Sequence, residues 1–587
     1  MIQLDVDARE AAFGVFHTHE IIPARPGKLT LSFPKWTPGN HGPTGPINEM
    51  INLTFKAAGR TLEWRRDDVN MLQFHLEVPK GADSVEVHFD IAAPARADFT
   101  PNMARLHWLK LLLYPTGSKS DQLLVNASAS LPAGWKLTCP LLAEPTPVTA
   151  KFPTVSLREL ADSQALMGAN LQREMIGDQE EIDIFTDLPE SGKMGAQIKD
   201  CCKHLVTESQ KLFGSSHYRR YNFLLTLTDQ LDTKGVEHQE CTEVGMGAST
   251  FENPYGVMAF GELMCHEFMH SWNGKYRCPA GLATSDYDSP MKGDLLWVYE
   301  GMTQYLGKVM ATRTGFETPD QFRNELAITA ANMQCRYGRS WRSVEDTSIA
   351  AQILRLQDVR WRGGRRGQDY YEEMVPIWLE VDSIIRLQSR GAKSLNDFTK
   401  DFFGGPGGQR TMKTYTFDDL VRSLNGVTAY DWASLFRTRT RSLQPQLSLA
   451  GIENSGWKFI YDDKPWTGIR PGAPPKKGVV DNDAFYTIGA RIDSDGTVTE
   501  VHLDMAGGLA GLRPGMKVAK VNGMAFSNEN FLKALASRTP LELEVSYGGS
   551  TRTLHVAYAE GPRYPHLVRD ETKPDLLSEI LKPLAKP

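Results

Sequence analysis

The chain has 587 residues, of which 41% are hydrophobic and 23% are charged, and its formal net charge at pH 7 is -6. These values are ordinary for soluble globular protein and give no reason to expect nucleic acid or an anionic membrane as a partner. A chain of this length should fold into about three or four domains. Its seven cysteines are too few and too irregularly placed for a disulfide framework, so we expect free thiols.

The sequence shows no sign of membrane insertion or secretion. No stretch reaches the roughly 18 apolar residues that a membrane span needs. The opening residues MIQLDVDAREAAFG lack the basic start and the apolar core of a signal peptide. We therefore expect a soluble protein, cytoplasmic for the sequence as given and periplasmic or secreted if a leader was removed.

Residues 1–168 have the pattern of a β-rich domain. Short runs such as KLTLSF, MLQFHLEV and DSVEVHFDIA are separated by turn-prone segments, which predicts a β-sandwich-like fold. His17 and His19 share one face of a predicted strand, but nothing nearby in the sequence completes a metal site with them. The segment FPKWTPGNHGPTGPIN, rich in proline and glycine, predicts a long ordered loop.

Helical periodicity dominates residues 169–462. AQIKDCCKHLVTESQKLFG predicts an amphipathic helix, YNFLLTLT predicts a buried strand, and several further apolar patterns predict a large, mainly α catalytic body. We interpret the longest basic cluster, Arg360 to Arg366 in WRGGRRG, as a solvated loop rather than a contact to a ligand carboxylate.

The remainder of the chain predicts a linker, a small module and a tail. Residues 463–478, DKPWTGIRPGAPPKKG, have the proline and glycine content of a linker. Residues 479–562 hold short strands and one helix, SNENFLKALAS, as in a small β-rich module, and residues 563–587 form the C-terminal tail. The expected fold class is therefore a multidomain α+β protein.

The strongest chemical motif is HEFMH, residues 266–270. Positions four apart lie on one face of a helix, so His266 and His270 can both bind one metal ion while Glu267 points beside it at a metal-bound water. Residues 257–272 contain no proline and carry apolar residues at helical spacing, which supports the helix. The motif therefore predicts a zinc hydrolase.

A catalytic zinc ion usually takes three protein ligands and leaves a fourth position for water. We choose Glu300 in WVYEGMTQYLG as the third ligand, because an unpaired carboxylate among these apolar neighbours would be costly. Asp286, Asp288 and Asp294 are competing candidates in a segment that has the pattern of a loop. Zinc lowers the pKa of bound water towards about 7, so Glu267 can act as general base for hydrolysis, preferably of a peptide bond.

The segment HEFMHSWNGKYRCPAGLATSDYDSPMKGDLLWVYEGMTQYLG resembles the glycyl aminopeptidase family of gluzincin metallopeptidases. The family pattern is HExxH, then W-N-x-K-x-x-R-P, then L-W-V-x-E-G-x-T-x-Y, and here Cys278 separates the arginine from the proline. The resemblance spans nearly the whole chain. It implies an N-terminal β domain, a thermolysin-like catalytic domain and a C-terminal PDZ domain.

The resemblance also implies roles for individual residues. It assigns one Zn²⁺ ion to the ligands His266, His270 and Glu300, with Glu267 as general base. GVEH, residues 235–238, resembles the family's G-G-L-E-H and places Glu237, with His238 beside it, in the substrate-binding site. Glu237 would hold the free α-ammonium of the substrate, because a carboxylate there pairs with a cationic amine. The alternative is a turn residue.

DYYEEMVPIWLEVDSIIR resembles the family's Y-Y-x-K-G, followed eight residues later by D-x-x-I-R. The resemblance matches Tyr371 to the tyrosine that steadies the oxyanion, and Tyr370 is the alternative. Glu373 and Met374 stand where the family has lysine and glycine, so the local conformation is open.

The C-terminal module resembles a PDZ domain through AGGLAGLRPGMKVAKVNG, residues 506–523. The resemblance implies a loop that binds the carboxylate of a C-terminal peptide through its backbone N–H groups. That loop would consist of Phe485, Tyr486, Thr487, Ile488 and Gly489. A packing module without a ligand is the alternative.

The expected function is a zinc aminopeptidase that acts on peptides with a free N-terminus and prefers small first residues, Gly or Ala. One alternative is a zinc endopeptidase whose PDZ domain recruits substrates. The other is a peptide-binding scaffold with an inactive catalytic domain, against which the complete set of His266, Glu267, His270 and Glu300 argues.

Overall fold

The computed structural model describes residues 1–355, 361–465 and 484–585. The chain forms two compact units, the first made of Met1–Lys292 and Phe403–Thr416 and the second of Gly293–Phe402 and Phe417–Pro587. The protein is a multidomain α+β protein with a β-rich N-terminal part and a helical region further along, as expected. The predicted domain boundaries stay a prediction, and most of the predicted linker, residues 466–478, lies outside the described residues, as does Arg360.

The N-terminal part of the first unit contains three sheets. The largest has the strands Thr149–Lys151, Leu124–Ser130, Ile2–Asp7, Val15–Pro23, Ser84–Ala92, Met50–Ala57 and Arg60–Thr61 in spatial order, with Val155–Ser156 beside Leu124–Ser130. The second has Tyr114–Pro115, Gly27–Ser32, Gln73–Val78 and Trp64–Arg66. The third has Thr146–Pro147, Lys136–Thr138, Ala165–Gly168, Met103–Leu106 and Phe99–Thr100. Alternate residues of the long strands are buried in one hydrophobic core, which confirms the predicted β-rich character.

The rest of the first unit is built on a five-stranded sheet with the order Leu171–Met175, Glu180–Thr186, Tyr221–Leu227, Cys241–Met246 and Lys234–Glu237. The three middle strands are parallel and fully buried, so the predicted buried strand is confirmed at Tyr221–Leu227. The last strand pairs antiparallel at the edge. The helices of this part are Leu157–Ala161, Ala196–Phe213 and Pro254–Met269, and Arg277–Pro279 pairs in parallel with Lys413–Tyr415.

The second unit is helical in its larger part. Its α-helices there are Leu296–Tyr299, Gly301–Thr314, Pro319–Gln334, Val344–Leu354, Arg362–Arg365, Met374–Gln388, Leu395–Thr399, Phe417–Val427, Trp432–Phe436, Ala450–Asn454 and Leu576–Ile580. One antiparallel strand pair joins Trp457–Asp462 to Tyr564–Arg569. The prediction of a solvated loop at WRGGRRG is wrong for Gly363, Gly364 and Arg366, which are buried, whereas Arg362 and Arg365 are exposed as expected.

The C-terminal module of the second unit, residues 484–558, has its own hydrophobic core. Strands Ala490–Ile492 and Val498–Val501 form one pair, and Met524–Ala525, Lys517–Val521, Leu541–Tyr547 and Ser550–Val556 form a four-stranded sheet. Its helices are Ala484–Thr487, Ala506–Leu509 and Asn528–Ala536, and the last confirms the helix predicted from SNENFLKALAS. The PDZ assignment of this module stays a prediction.

Two further expectations concern the whole chain. All seven cysteines lie among the described residues and are buried, and none of them forms a disulfide, as expected. Among the described residues, no helix is long and apolar enough to cross a membrane.

Candidate active site

The helix Pro254–Met269 contains most of the HEFMH motif. Contacts at its first turn and along its buried face hold it in place. The side chain of Asn253 accepts a hydrogen bond from the Gly256 N–H, and proline occupies the first turn, where no backbone donor is needed. Further along, the Phe268 ring packs edge-on against Tyr221 of the central strand, at 4.7 Å between ring centroids. The predicted helix is therefore confirmed, and its last turn presents the motif residues.

The two histidines of the motif lie together. Their Nε2 atoms are 3.1 Å apart, and His270 is buried whereas His266 is half-buried. The Nδ1 of His270 is 2.9 Å from the backbone oxygen of Asn273, which can only accept, so Nδ1 carries the proton and Nε2 keeps its lone pair. Two imidazole nitrogens at this spacing suit a shared metal ion at about 2.1 Å from each. A metal-binding histidine usually donates its other ring N–H to a hydrogen-bond acceptor, and this bond fixes the tautomer that binds the metal.

Glu267 is held against the edge strand of the five-stranded sheet. Its side chain is only 5% exposed. A Cβ atom built on Gly235 of strand Lys234–Glu237 would come 2.1 Å from Oε1 of Glu267, well inside van der Waals contact. Glycine at position 235 therefore leaves the space that the Glu267 carboxylate occupies.

Glu237 ends the same edge strand and is 4% exposed. The loop FPKWTPGNHG reaches it, because a Cβ atom on Gly39 would lie 3.0 Å from Oε2 of Glu237, and Gly39 has a positive φ of 83°. The loop is anchored by the Trp36 N–H, which donates to the Tyr287 backbone oxygen at 2.8 Å. The predicted long ordered loop is thus part of the wall around Glu237.

Asp162 contacts two residues near Glu237, namely His238 and Lys275, which are far from Asp162 in the sequence. It accepts a hydrogen bond from Nδ1 of His238 at 3.2 Å and pairs with Nζ of Lys275 at 3.1 Å. Burial alone would raise the pKa of Asp162, but Lys275 and His238 hold this pKa well below its usual value. The only signal in the sequence was the position of Lys275 in the W-N-x-K pattern.

Of the three aspartates that are alternative candidates to Glu300 as metal ligand, Asp286 and Asp288 accept hydrogen bonds within the protein. Asp286 accepts hydrogen bonds from the backbone N–H groups of Asp288 and Ser289, at 2.9 and 2.7 Å. Asp288 accepts one from the Ser32 hydroxyl at 2.6 Å. Asp294 is exposed. These contacts give Asp286 and Asp288 roles in the loop's turn and in its attachment to the N-terminal sheet.

In the second unit, Glu300 stands at the junction of helices Leu296–Tyr299 and Gly301–Thr314 and is 2% exposed. Gly301 allows close approach of the tyrosine segment, since a Cβ atom there would come 2.6 Å from the backbone oxygen of Tyr370. Tyr371 hydrogen-bonds to Glu300, and burial together with this carboxylate raises the pKa of Tyr371. Tyr370 is fully buried, whereas Tyr371 is half-buried.

The residues of this chain that could hold a metal ion include the set His266, His270 and Glu300. Two imidazoles and one carboxylate are the donor set of many catalytic zinc sites. The fixed tautomer of His270 fits such a role, because it leaves Nε2 available for a bond to the metal.

The predicted carboxylate-binding loop of the C-terminal module lies in a buried place. Residues 485–487 belong to the helical turn Ala484–Thr487, and the Ile488 N–H donates to the Ala484 oxygen at 3.0 Å. Phe485 and Tyr486 pack in one cluster with Ala331 of helix Pro319–Gln334. Gly489 has a positive φ of 76° and closes the turn. Binding of a peptide carboxylate by this loop stays a prediction.

Two family models and a solved structure are similar to this chain. The family model described as M61 glycyl aminopeptidase matches residues 259–375, and the model of the peptidase M61 N-terminal domain matches residues 3–169. A crystal structure described as an aminopeptidase N family protein from Idiomarina loihiensis superposes with a TM-score of 0.82 at 20% sequence identity. The match covers 99% of this chain and 100% of that one, and at this identity it shows the fold alone. None of the curated proteins matches the chain.

Proposed function

Because the chain belongs to the M61 glycyl aminopeptidase family of peptidases, we propose that it is a zinc aminopeptidase that releases small N-terminal residues, Gly or Ala, from peptides. The observation that best supports a metal-dependent activity is the pair of imidazole Nε2 atoms, 3.1 Å apart on the HEFMH helix and next to the buried Glu267. One family model spans the HEFMH motif, Glu300 and the tyrosine pair, which supports a role for all of them in one catalytic centre.

In this proposal His266, His270 and Glu300 hold one Zn²⁺ ion. The ion would supply an activated water molecule and polarise the scissile carbonyl group. Glu267 accepts the proton of the attacking water at a carboxylate oxygen and later gives it to the leaving amine. The tight contact with Gly235 supports this role, because it restricts where the carboxylate can move.

The proposal assigns the choice of an N-terminal residue to Glu237. A buried carboxylate at the end of the edge strand would pair with the α-ammonium of the substrate and set which peptide bond reaches the reactive centre. Edge strands also offer backbone groups to an extended peptide. His238 lies next to Glu237 and is held by Asp162, so we assign it to the wall of the same subsite.

Tyr371 is the proposed donor to the oxygen on which charge develops. Tyr371 is half-buried whereas the side chain of Tyr370 is fully enclosed, which favours Tyr371 as the residue that reaches a substrate, and its hydroxyl hydrogen-bonds to Glu300. A phenolic O–H is a suitable hydrogen-bond donor for an oxyanion, and such a donor contributes most when its position is fixed before the reaction.

The alternative of an endopeptidase that recruits substrates through its C-terminal module has less support. The side chains of Phe485 and Tyr486, in the loop that would bind a peptide terminus, are already packed inside the second unit. The inactive-scaffold alternative is disfavoured by the histidine pair and the adjacent Glu267.

The experiment that tests the proposal combines metal analysis with a substrate profile. Purified protein is assayed with the p-nitroanilides of Gly, Ala and Leu, before and after chelation, and its zinc content is measured by mass spectrometry. We expect about one zinc ion per chain, faster hydrolysis of the Gly and Ala substrates than of the Leu substrate, and loss of activity on chelation that zinc restores. Metal-free protein with full activity, or a Leu preference, would contradict the proposal.

A further inference from the structure

The tyrosine pair is flanked on both sides by buried acidic residues. Asp369 precedes Tyr370, and Glu373 stands where the family pattern has lysine. Asp369 is 4% exposed and Glu373 is 1% exposed, so each carboxylate needs a partner. Both find one in Arg366, whose Nε donates to Asp369 at 3.0 Å and whose Nη2 forms an ion pair with Glu373. Arg339 forms a second ion pair with Glu373.

The acid before the tyrosine pair is also connected to the C-terminal module. Nε of Arg336 faces Oδ1 of Asp369 at 3.7 Å, an ion-pair distance rather than a hydrogen bond. Nη1 of the same guanidinium donates to Oε1 of Glu500 at 3.0 Å, and Glu500 lies on strand Val498–Val501 of the module. Arg336 therefore bridges a carboxylate of the module and a carboxylate two residues before Tyr371.

Glu500 is fixed by more than this one arginine. Its Oε1 also accepts a hydrogen bond from the Gly363 N–H at 2.7 Å, and its Oε2 accepts one from Nε of Arg491 at 3.1 Å. A Cβ atom on Gly363 would come 2.8 Å from Oε1, so a larger residue at this point would press on the Glu500 carboxylate. The side chain of Glu500 is only 5% exposed.

The buried part of this network balances in charge, and the partly exposed Arg491 adds one further cation at its edge. The arginines Arg336, Arg339 and Arg366 face the carboxylates Asp369, Glu373 and Glu500, and all six residues are buried in the second unit. A buried ion network gains little stability over apolar packing, but loss of one member leaves an uncompensated buried charge. Such a network is suited to hold a segment in one position, because each charged group restricts its neighbours.

We propose that Glu500 is a positioning residue for the peptidase reaction, and that the C-terminal module uses it to fix Tyr371. Glu500 holds Arg336, Arg336 holds Asp369, and Asp369 and Glu373 hold the two ends of the segment that carries Tyr371. Glu500 does not touch the substrate in this account. The inference rests on the proposed function, because it takes Tyr371 as the donor to the developing oxyanion.

The position of that donor matters because hydrogen-bond donors act at about 2.7–3.1 Å from the oxyanion, and a displacement of about 1 Å costs up to about 100-fold in rate. A disturbance of Glu500 should therefore reduce kcat more than it changes KM, since the oxyanion forms only during the reaction.

The test is a double-mutant cycle on the full-length, zinc-loaded protein, with kcat and KM measured for Gly-p-nitroanilide. The variants are Glu500→Gln, Tyr371→Phe and the two combined. We expect Glu500→Gln to lower kcat about tenfold with KM changed less than about twofold, and to have less than about a twofold effect when Tyr371 is already replaced. An equal loss from Glu500→Gln in both backgrounds, or no loss in either, would overturn the inference.

Controls separate positioning from folding. Glu544→Gln removes a charge from the same module, where Glu544 pairs with Lys520 at 3.0 Å near the surface, and should leave kcat unchanged. Glu500→Asp keeps the charge and should recover part of the lost kcat, and it replaces Glu500→Gln in the cycle if the latter unfolds below the assay temperature.

If Tyr371→Phe alone leaves kcat intact, the proposed role of Tyr371 fails and the inference fails with it. If Tyr371→Phe is impaired and the cycle is additive, only the inference fails.

Discussion

Nδ1 of His270 donates a hydrogen bond to the backbone oxygen of Asn273 at 2.9 Å. This contact between the end of the HEFMH helix and the following turn selects one imidazole tautomer and points the other nitrogen at Nε2 of His266. The arrangement of the two imidazoles proposed to bind zinc thus depends on local sequence, namely the motif itself and the W-N segment immediately after it.

The first prediction concerns Glu267. Replacement by Gln removes the proton acceptor but keeps the size of the side chain, so kcat should fall by about 10²–10⁴-fold while zinc stays bound. The measurement is kcat for Gly-p-nitroanilide together with zinc content. His270→Ala is the matched comparison and should lose both. A Glu267→Gln enzyme with kcat within tenfold of wild type would exclude Glu267 as the base.

The second prediction concerns Gly235. An alanine there would place its Cβ atom 2.1 Å from Oε1 of Glu267, so the carboxylate has to move. We expect kcat to fall about 10²-fold, the cost of a displacement of about 1 Å in a catalytic group. Gly195→Ala is the control, because no atom lies within 4 Å of a Cβ atom at that position. Equal kcat values for the Gly235→Ala and Gly195→Ala enzymes would show that the contact has no catalytic consequence.

The third prediction concerns Glu237 and selectivity for a free amine. Glu237→Gln keeps hydrogen bonding but removes the negative charge, so kcat/KM for Gly-p-nitroanilide should fall by about 10–100-fold. Zinc content should not change, because Glu237 is not a proposed ligand. Unchanged kcat/KM would remove Glu237 from the amine subsite, and loss of zinc would point to a role in the metal centre instead.

The fourth prediction concerns stability and pH. Burial alone would raise the pKa of Asp162, but Lys275 and His238 hold it below the ordinary value of 3.8. A carboxylate with a depressed pKa stabilises the fold at pH values above its unfolded pKa, and this contribution disappears only as the pH falls towards the folded pKa. Asp162→Asn should therefore lower the free energy of unfolding at pH 7 by about 3 kcal/mol, because Lys275 loses its buried partner.

The fourth prediction is checked by thermal unfolding of metal-free wild type and Asp162→Asn at pH 7, 5 and 3. Removal of the metal avoids a contribution from metal loss at low pH. The difference in unfolding midpoint should be the same at pH 7 and pH 5 and smaller at pH 3, on the acidic side of 3.8. A difference that already shrinks between pH 7 and pH 5 would contradict the assignment.

The sequence predicted best those features that depend on local pattern. The HEFMH helix follows from its apolar spacing and its proline-free length, and the strand Tyr221–Leu227 follows from one continuous apolar run. The GVEH motif was found by resemblance. Its edge-strand position and the contact of Gly235 with Glu267 were not, because sheet order and strand pairing depend on residues far apart in the chain.

Contacts across long sequence separations account for what the sequence did not predict. Gly39 and Glu237 meet although about 200 positions separate them, and the loop that carries Gly39 gave only the signal of a turn-rich segment. The WRGGRRG segment was misjudged for a similar reason. Arginine and glycine predict solvent exposure unless a buried carboxylate pairs with them, and Glu500, which accepts a hydrogen bond from the Gly363 N–H, is 137 positions away in the sequence.

The central claim, cleavage at a free N-terminus, is tested most directly with one matched pair of peptides. Gly-Ala-Ala-Phe and its N-acetylated form are incubated with the zinc-loaded enzyme, and the products are identified by mass spectrometry. The account predicts release of free glycine from the first peptide and at least about a 100-fold slower reaction of the second, because acetylation removes the cation that Glu237 is proposed to bind. Cleavage of both peptides at equal rates, or at an internal bond, would contradict it.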